Sequence, residues 1–495
     1  MNFRFPLIAA FTLTLSACGT KAPMQSRKVT VPAPPEWTAR ESAPRPASRA
    51  NQKAWWNDFG DDGLSAAVEE ALRQNYDLRA AAARIKASAA QARIGGADLY
   101  PQVRASLTRA RQKQNFIGFP IPGAEGNVLS STFTNASAAL DISWEADLWG
   151  RIRAGKLAAT ADWQASQADL RGAKLSIAAQ TVKVWFAAVE AGRQTALAEA
   201  TVENYTASVE SVRSRYSRGL VTSLDLRLAE TDLSRAKANL QQRNAKGDAA
   251  LRQLEILLGR YPGAKISPAE ELPVLPPPVP AGLPAEMVGR RPDLAAAERR
   301  LVALSARARQ ARKSLYPALT LTTSGSFVSN KMSDVLRGDF SAWSLIGGLV
   351  QRIYQGGRLR ANVRLNLARS EEAEAVFANA VLNAFREVET ALAAERFWEQ
   401  QQQHLESAVR QGVAARTLAE ERYRAGLADI ITVLNSQRSA LDAESNLLAV
   451  RRQRLDNRVN LHLALGGGFH AAPEPSPSPP PNSQAALSKK ENDPS

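Results

Sequence analysis

The sequence is poor in the residues from which enzyme sites are usually built. Among its 495 residues are one cysteine, Cys18, three histidines and four methionines. A single cysteine allows no internal disulfide. His404, His462 and His470 are too few and too scattered for a metal site. No metal or cofactor is expected, and the chain does not read as an enzyme. Long apolar runs are also missing. After the N-terminus no stretch of 18 apolar residues occurs, so no transmembrane helix is expected. That does not argue against β-barrel strands, which alternate and leave little hydropathy signal. Aromatics make up only 6% of the chain. The net charge of +15 is spread over the whole length, with no basic cluster interleaved with aromatics. This excludes a recognisable nucleic-acid module and suggests a solvated, Arg-rich helical surface.

Proline is absent from Gly150 to Ser217. A continuous helix there would be ~100 Å long at 1.5 Å per residue. Its last part carries Val202, Tyr205, Val209, Val212 and Tyr216 at alternating steps of three and four, a coiled-coil seam. After a turn at Arg215–Thr222 a second helical run returns, with Leu226, Leu233 and Leu240 seven apart. The pattern predicts a very long antiparallel helical hairpin. A compact domain has no use for a rod of that length, whereas something that crosses a distance does.

At the N-terminus, Arg4 precedes an apolar run from Phe5 to Leu15, then Leu15-Ser16-Ala17-Cys18-Gly19. This predicts a secretory signal at 1–17. Leu-Ser-Ala-Cys resembles the bacterial lipobox, so lipidation of Cys18 is expected. Gly19, not Asp, follows the cysteine, which resembles an outer-membrane address. Residues 18–54 are rich in proline and read as a lipid-anchored tether, extended or poorly ordered.

The strongest signal is internal duplication. Asp77, Leu78, Arg84, Arg93, Leu99, Tyr100 and Pro101 recur 216 residues later as Asp293, Leu294, Arg300, Arg309, Leu315, Tyr316 and Pro317. At an offset of 207, Gly150, Arg151, Arg215, Tyr216, Gly219, Leu220, Leu258 and Gly259 recur as Gly357, Arg358, Arg422, Tyr423, Gly426, Leu427, Leu465 and Gly466. Each copy follows one plan: an Ala/Arg-rich helix (about 62–99, then 285–315), Leu-Tyr-Pro, two strand-like segments, and a long helical hairpin. Proline stops the helix and turns the chain to extended geometry. The first repeat spans 55–267, with strands about 102–112 and 131–148 and a hairpin at 150–259. A Pro-rich linker covers 268–284. The second repeat spans 285–468, with strands about 318–328 and 341–354 and a hairpin at 357–466. A tail at 469–495 reads as disordered.

Before the long helix, Asp141, Ser143, Glu145 and Asp147 alternate with Ile142, Trp144, Ala146 and Leu148. Period 2 puts the acids on one face and the apolar residues on the other. The second copy has no matching acids, so a wall between water and lipid explains the pattern better than a catalytic carboxylate set. Four strands cannot close in a membrane without leaving unpaired edges. Three chains under cyclic symmetry would give twelve strands and a lumen. The expected fold class is therefore mainly α with a membrane β-barrel: duplicated helical hairpins plus four strands per chain, a trimer forming a 12-stranded β-barrel continuous with an α-barrel tunnel.

Specific motifs now carry a resemblance. They are Trp55-Trp56-Asn57-Asp58-Phe59, Asn75-Tyr76-Asp77-Leu78, Leu99-Tyr100-Pro101, Ser143 through Arg151, Arg290-Arg291-Pro292-Asp293, Gly356 through Ala361, and Leu463 through Gly468. The chain resembles the outer membrane factor (TolC/OprM-like) family, in its NodT-type lipoprotein branch. The resemblance implies a homotrimer in the cell outer membrane that extends into the periplasm. It would be the exit duct of a tripartite efflux system, with a periplasmic adaptor (membrane fusion) protein and an inner-membrane pump of the RND type. The two helical turns imply periplasmic tips that contact the adaptor, through Arg215, Tyr216, Gly219, Leu220 and Ser223, and Arg422, Tyr423, Gly426 and Leu427. The family's gate (Leu, then Asp, then Arg) falls on Ile431, Asn435 and Arg438. Asn at 435 removes a charge ring, and Asp225 or Asp429 could supply the acid instead. Drugs are the expected cargo. A duct for metal ions or for type I protein secretion has the same architecture, and the few Met and His lean away from copper. A periplasmic coiled-coil brace is an alternative of another class, disfavoured by the alternating strands.

Overall fold

A computed structural model describes residues 34–39, 54–116, 129–279, 284–334 and 337–467. Cys18, the signal segment, most of the tether and the tail lie outside the described residues. A short 3-10 turn, Trp55–Phe59, leads into helices α1 (Asp62–Gln74) and α2 (Tyr76–Ala97). Strands β1 (Gln102–Phe116) and β2 (Leu129–Ala146) follow, then α3 (Arg151–Ser217) and α4 (Ser223–Leu257). The second half gives α5 (Pro284–Arg290), α6 (Pro292–Lys313), β3 (Ala318–Ser329), β4 (Ser341–Val350), α7 (Arg358–Arg424) and α8 (Ile430–Ala464). The chain is thus mainly helical with few strands. Among the described residues no helix is long and apolar enough to cross a membrane.

Several element bounds differ from those expected, each for a local reason. The helix expected over about 62–99 is two helices. Asn75 adopts ψ 129°, and its side-chain oxygen accepts from the amides of Asp77 and Leu78, capping α2. In the second copy Arg291 is likewise extended, as a residue before proline must be, and Pro292 opens α6. β1 runs on to Phe116 because Gln112–Asn115, polar enough to read as loop, pair with Ser130–Phe133. β2 stops at Ala146 because Asp147 leaves the strand and accepts from the amides of Ile152 and Arg153 at the start of α3. β4 ends at Val350, opposite Ala318, because Pro317 closes off the partner strand.

The four strands form one antiparallel sheet in the order β1-β2-β3-β4. Directly opposed residues share a face, and register divides most of the sheet into an apolar and a polar side, with Val328, Ile346 and Val350 as apolar residues on the polar one. One face carries Val103 and Leu107, Leu140 and Trp144, Leu321 and Phe327, Trp343, Leu345 and Leu349. The other carries Arg104 and Ser106, Asp141 and Ser143, Thr320, Thr322 and Ser324, and Ser344. The apolar face is bare: Leu107 is 65% exposed and Trp343 83%. A bare apolar face of this extent needs a cover other than water. Aromatics mark the boundary with the helices. Trp144 donates from Nε1 to the Leu99 carbonyl at 3.0 Å, Trp149 to that of Pro317 at 2.8 Å, and Trp149 packs on Tyr316. Indole rings with one wet edge suit such a boundary.

Helices α3 and α7, each 67 residues, run unbroken for ~100 Å. α4 returns along α3, and α8 along α7. α2 packs on α3, and α6 lies against both α3 and α7. The short helices abut the ends of the returning ones. Asn75 donates from Nδ2 to the Leu257 carbonyl at the end of α4, and Arg291 donates from Nη1 to the Ala464 carbonyl at the end of α8. Both joints are tight. A Cβ on Gly259 would sit 2.9 Å from the Gln74 carbonyl oxygen, and one on Gly466 3.1 Å from that of Arg290.

The largest apolar cluster lies at this level, around Trp55, Trp56, Phe59, Trp185, Phe186, Leu254 and Leu455. Trp55, Phe186 and Leu254 are almost wholly buried. Part of the tether, expected to be extended or poorly ordered, also docks here. Trp37 is buried against Phe385, and the amides of Thr38 and Ala39 donate to the Glu389 carboxylate at 2.7 and 2.8 Å. The expected seam is present in part: Tyr205, Val209 and Val212 are buried, whereas Tyr216 is 45% exposed. On α4 the leucine row is only half-buried, and along that stretch the buried positions are Ala229, Asp232 and Ala236. Small residues there bring neighbouring helices close.

Candidate functional site

The two turns at the far end of the helices have the same backbone. Gly219 has φ 73° and Gly426 φ 76°. The Gly219 amide donates to the Tyr216 carbonyl and that of Leu220 to Arg215, closing α3 in a Schellman motif. Gly426 and Leu427 do the same to Tyr423 and Arg422. This left-handed position is why glycine recurs 207 residues apart. Leu220 and Leu427 are left 68% and 74% exposed at the extremity, with Ser223 and Arg422 also exposed.

Arg215 joins the two hairpins. Its guanidinium lies 4.3 Å over the Tyr423 ring, and Nη2 donates to the carbonyls of Tyr423 and Arg424 at 2.8 and 3.1 Å. It thereby satisfies the free carbonyls at the end of α7. Tyr423 itself is buried, and burial raises its hydroxyl pKa, partly offset by Arg215.

The expected gate residues Ile431, Asn435 and Arg438 are all exposed, along one stripe of α8. The acid that meets Arg438 is neither Asp225 nor Asp429. Asp225 is held in a capping box with Thr222. Asp429 caps α8, accepting from the amide and hydroxyl of Thr432, which hold its carboxyl below the usual range. Arg438 instead reaches Asp232 on α4, donating from Nη2 at 3.0 and 3.2 Å. Asp232 is 8% exposed beside buried Tyr205, whose pKa is raised by burial and then by Asp232. Nothing in the sequence linked Asp232 to Arg438, which lie 206 residues apart on different helices. Gln437 adds a second cross-helix link, donating to Ser208 Oγ and Glu420.

The joints higher up hold the densest charge. Arg291 is 8% exposed and bonds Asp293 and Glu387, each at 2.7 Å. Burial works against its charge, but the two carboxylates outweigh it and keep its pKa raised. Arg458, 2% exposed at its side chain, pairs with Glu395, which also holds Arg454. Asp456 sits between Arg452 and Lys183, yet burial dominates and lifts its pKa to about 6. His462 stacks on Trp55 at 5.0 Å, and burial followed by Arg458 pushes its pKa down to about 4. The sequence did hold one signal for the joints: Asn75 and Arg291 occupy the same place in the two repeats, 216 apart. Among the described residues no group of His, Cys, Asp or Glu could hold a metal ion.

This geometry offers no reaction. It offers an amphipathic sheet, a long helical wall and a tip held by a few polar links. The sequence profile described as Outer membrane efflux protein matches residues 67–260 and 283–467. The chain belongs to the outer membrane efflux protein family. It is 32% identical over 473 residues to the pyoverdine export outer membrane protein OpmQ of Pseudomonas aeruginosa, covering 93% of this chain and 96% of that one. It is 31% identical to outer membrane protein OprJ of the same organism, over 92% of this chain and 94% of OprJ. Among solved structures, the outer-membrane channel OprN superposes with a TM-score of 0.80 at 28% identity, over 90% of this chain and 98% of OprN. As a member of this family the chain is an outer-membrane efflux channel and not an enzyme.

Proposed function

We propose that three copies of this chain pair β1 of one with β4 of the next, closing a 12-stranded barrel that is continuous with a tunnel of their helices. The observation that carries this is the sheet itself. Its two edges are unpaired in a single chain, and its faces divide into apolar and polar. Hydrocarbon tolerates neither open edges nor unsatisfied backbone groups, so closure has to come from further copies. The apolar face then meets lipid and the polar face lines water.

The duct carries small toxic compounds outward from an inner-membrane pump of the RND type through a periplasmic adaptor. Lipid on Cys18 adds a second hold on the outer membrane. The adaptor docks at the two turns, against Tyr216, Leu220, Arg422 and Leu427. Ile431, Asn435 and Arg438 line the narrow end. The Asp232–Arg438 pair and the Arg215–Tyr423 link hold it shut. Adaptor binding favours a dilated state by preferring it over the closed one.

The test combines mass, conductance and growth. Purified protein should be a trimer in detergent and should conduct in planar bilayers; a monomer that never conducts overturns the proposal. A strain lacking the chain should become sensitive to several unrelated antibiotics, dyes and detergents. Sensitivity to a single metal salt, or loss of a secreted protein alone, would keep the duct and replace the cargo.

A further inference from the structure

The apolar face of the sheet does not stay apolar to its end. Along β1 it reads Val103, Ala105, Leu107, then Arg109, Arg111 and Lys113. All three cations are exposed. Their partners across β2 are Ala136, Thr134 and Thr132, and no carboxylate lies on this face in any of the four strands among the described residues. The change falls at a definite level. Arg109 is opposite Ala136, which is opposite Ser329, the last residue of β3. From Trp144, at the aromatic boundary, to the Arg109 row is eight residues along β2, or ~27 Å of strand. At a tilt near 40° that is ~21 Å of height, and the Arg111 row is ~26 Å up, against an apolar band of about 25 Å. The cations therefore stand at the far rim of the hydrocarbon, on the lipid side.

A second feature lies directly below them. Ala105 and Leu107, Ala138 and Leu140, and Gly325 and Phe327 line a shallow groove of about 410 Å³ on the same face. Small residues form its floor, and the larger ones flank it. It ends one pleat, two residues of β1, below Arg109.

We propose that this groove and the Arg109/Arg111/Lys113 cluster together form a binding site for a phosphate-bearing acylated lipid of the outer leaflet. An acyl chain lies in the groove and the head-group phosphates meet the three cations. Arginines with no carboxylate partner among the described residues suit phosphate oxygens, and guanidinium binds them in two-point fashion. The inference rests on the barrel reading, because only a closed barrel turns this face to lipid.

The experiment uses the full chain in detergent, titrated with lipid A and followed by native mass spectrometry. The same spectra give the oligomer. Wild-type trimers should carry bound lipid A, displaced by raised salt but not by millimolar inorganic phosphate alone. The triple variant Arg109→Gln/Arg111→Gln/Lys113→Gln should bind on the order of 100-fold more weakly, since each cation near an anionic surface is worth about a fivefold step. Gly325→Leu fills the groove without strain, as nothing lies within 4 Å of a Cβ there; it should cut binding on the order of 10-fold. A triple variant that forms trimers and binds as wild type does overturns the site. So does unaltered binding by Gly325→Leu, or displacement by inorganic phosphate. A wild-type protein that is only monomeric overturns the barrel reading instead.

Discussion

The joint level of the helices and the tip are built from the same repeated hairpins, yet they are held in different ways. At the joints, large side chains are almost wholly buried, as Phe186 is against Phe59, and buried arginines tie the elements together: Arg291 holds the Ala464 carbonyl at the end of α8, and Arg458 pairs with Glu395 midway along α7. At the tip the buried residues are fewer and smaller, and the links between hairpins are Arg215 on Tyr423 and Arg438 on Asp232. Arg438 is about half-exposed, so water competes with its partner. A cross-helix link of that kind can be broken and remade. A buried arginine whose carboxylates depend on it cannot be withdrawn without a large penalty. The molecule thus concentrates its stability where the helices are jointed and leaves its far end lightly fastened.

The contrast can be broken most forcefully from the joint side. Phe186→Ala should cost about 3–5 kcal/mol and lower the yield of folded protein, read by urea unfolding and by yield. Arg291→Ala should cost about 3 kcal/mol or more, because Asp293 and Glu387 lose their shared cation; a change below about 1 kcal/mol would show the joint is not the anchor described. The pH response should be smaller and divided. Asp456 has a folded pKa raised to about 6, so its contribution is present at low pH and is lost as pH rises from about 4 to 6. His462, lowered to about 4, stays neutral when folded while the unfolded chain takes up a proton, so its contribution grows over about pH 4 to 6.5. The two oppose each other in wild type. Asp456→Asn should leave stability rising with pH in that window, and His462→Gln should leave it falling, each by up to about 3 kcal/mol in urea midpoint titrations. Smallest in stability is Arg438→Ala, at about 1 kcal/mol, because Arg235 still stands 3.5 Å from the buried Asp232 carboxylate. Its conductance in planar bilayers should nevertheless rise, which sharpens the contrast; unchanged conductance with a large loss of stability would reverse it.

The sequence made some of this legible and hid the rest for physical reasons. The duplication is written in side chains that backbone geometry demands: the left-handed glycines at 219 and 426, and the prolines at 101 and 317 that end helices. The mainly helical architecture follows from a proline-free stretch and its three-four spacing. The alternation before α3 announces a half-apolar sheet. What stayed hidden depends on pairing across the chain. Asp232 is one acid among several on α4, and only packing brings it to Arg438. Asn75 and Arg291 share a place in the two repeats, but what each one grips shows only when the ends of α4 and α8 arrive beside them. The length of β1 was hidden because its last residues are polar, and backbone pairing is indifferent to that.

One consequence follows from the joints. At every level the chain presents four rods, but only α3 and α7 are single pieces from sheet to tip. The other two columns are butted: α4 against α2, α8 against α6. What crosses each butt is a side chain gripping a carbonyl, Asn75 in one and Arg291 in the other, and no covalent bond runs through it. Such a column transmits compression but little torque. A turn of α4 or α8 about its own axis would therefore be taken up at the joint and not passed on to α2, α6 or the sheet beyond them.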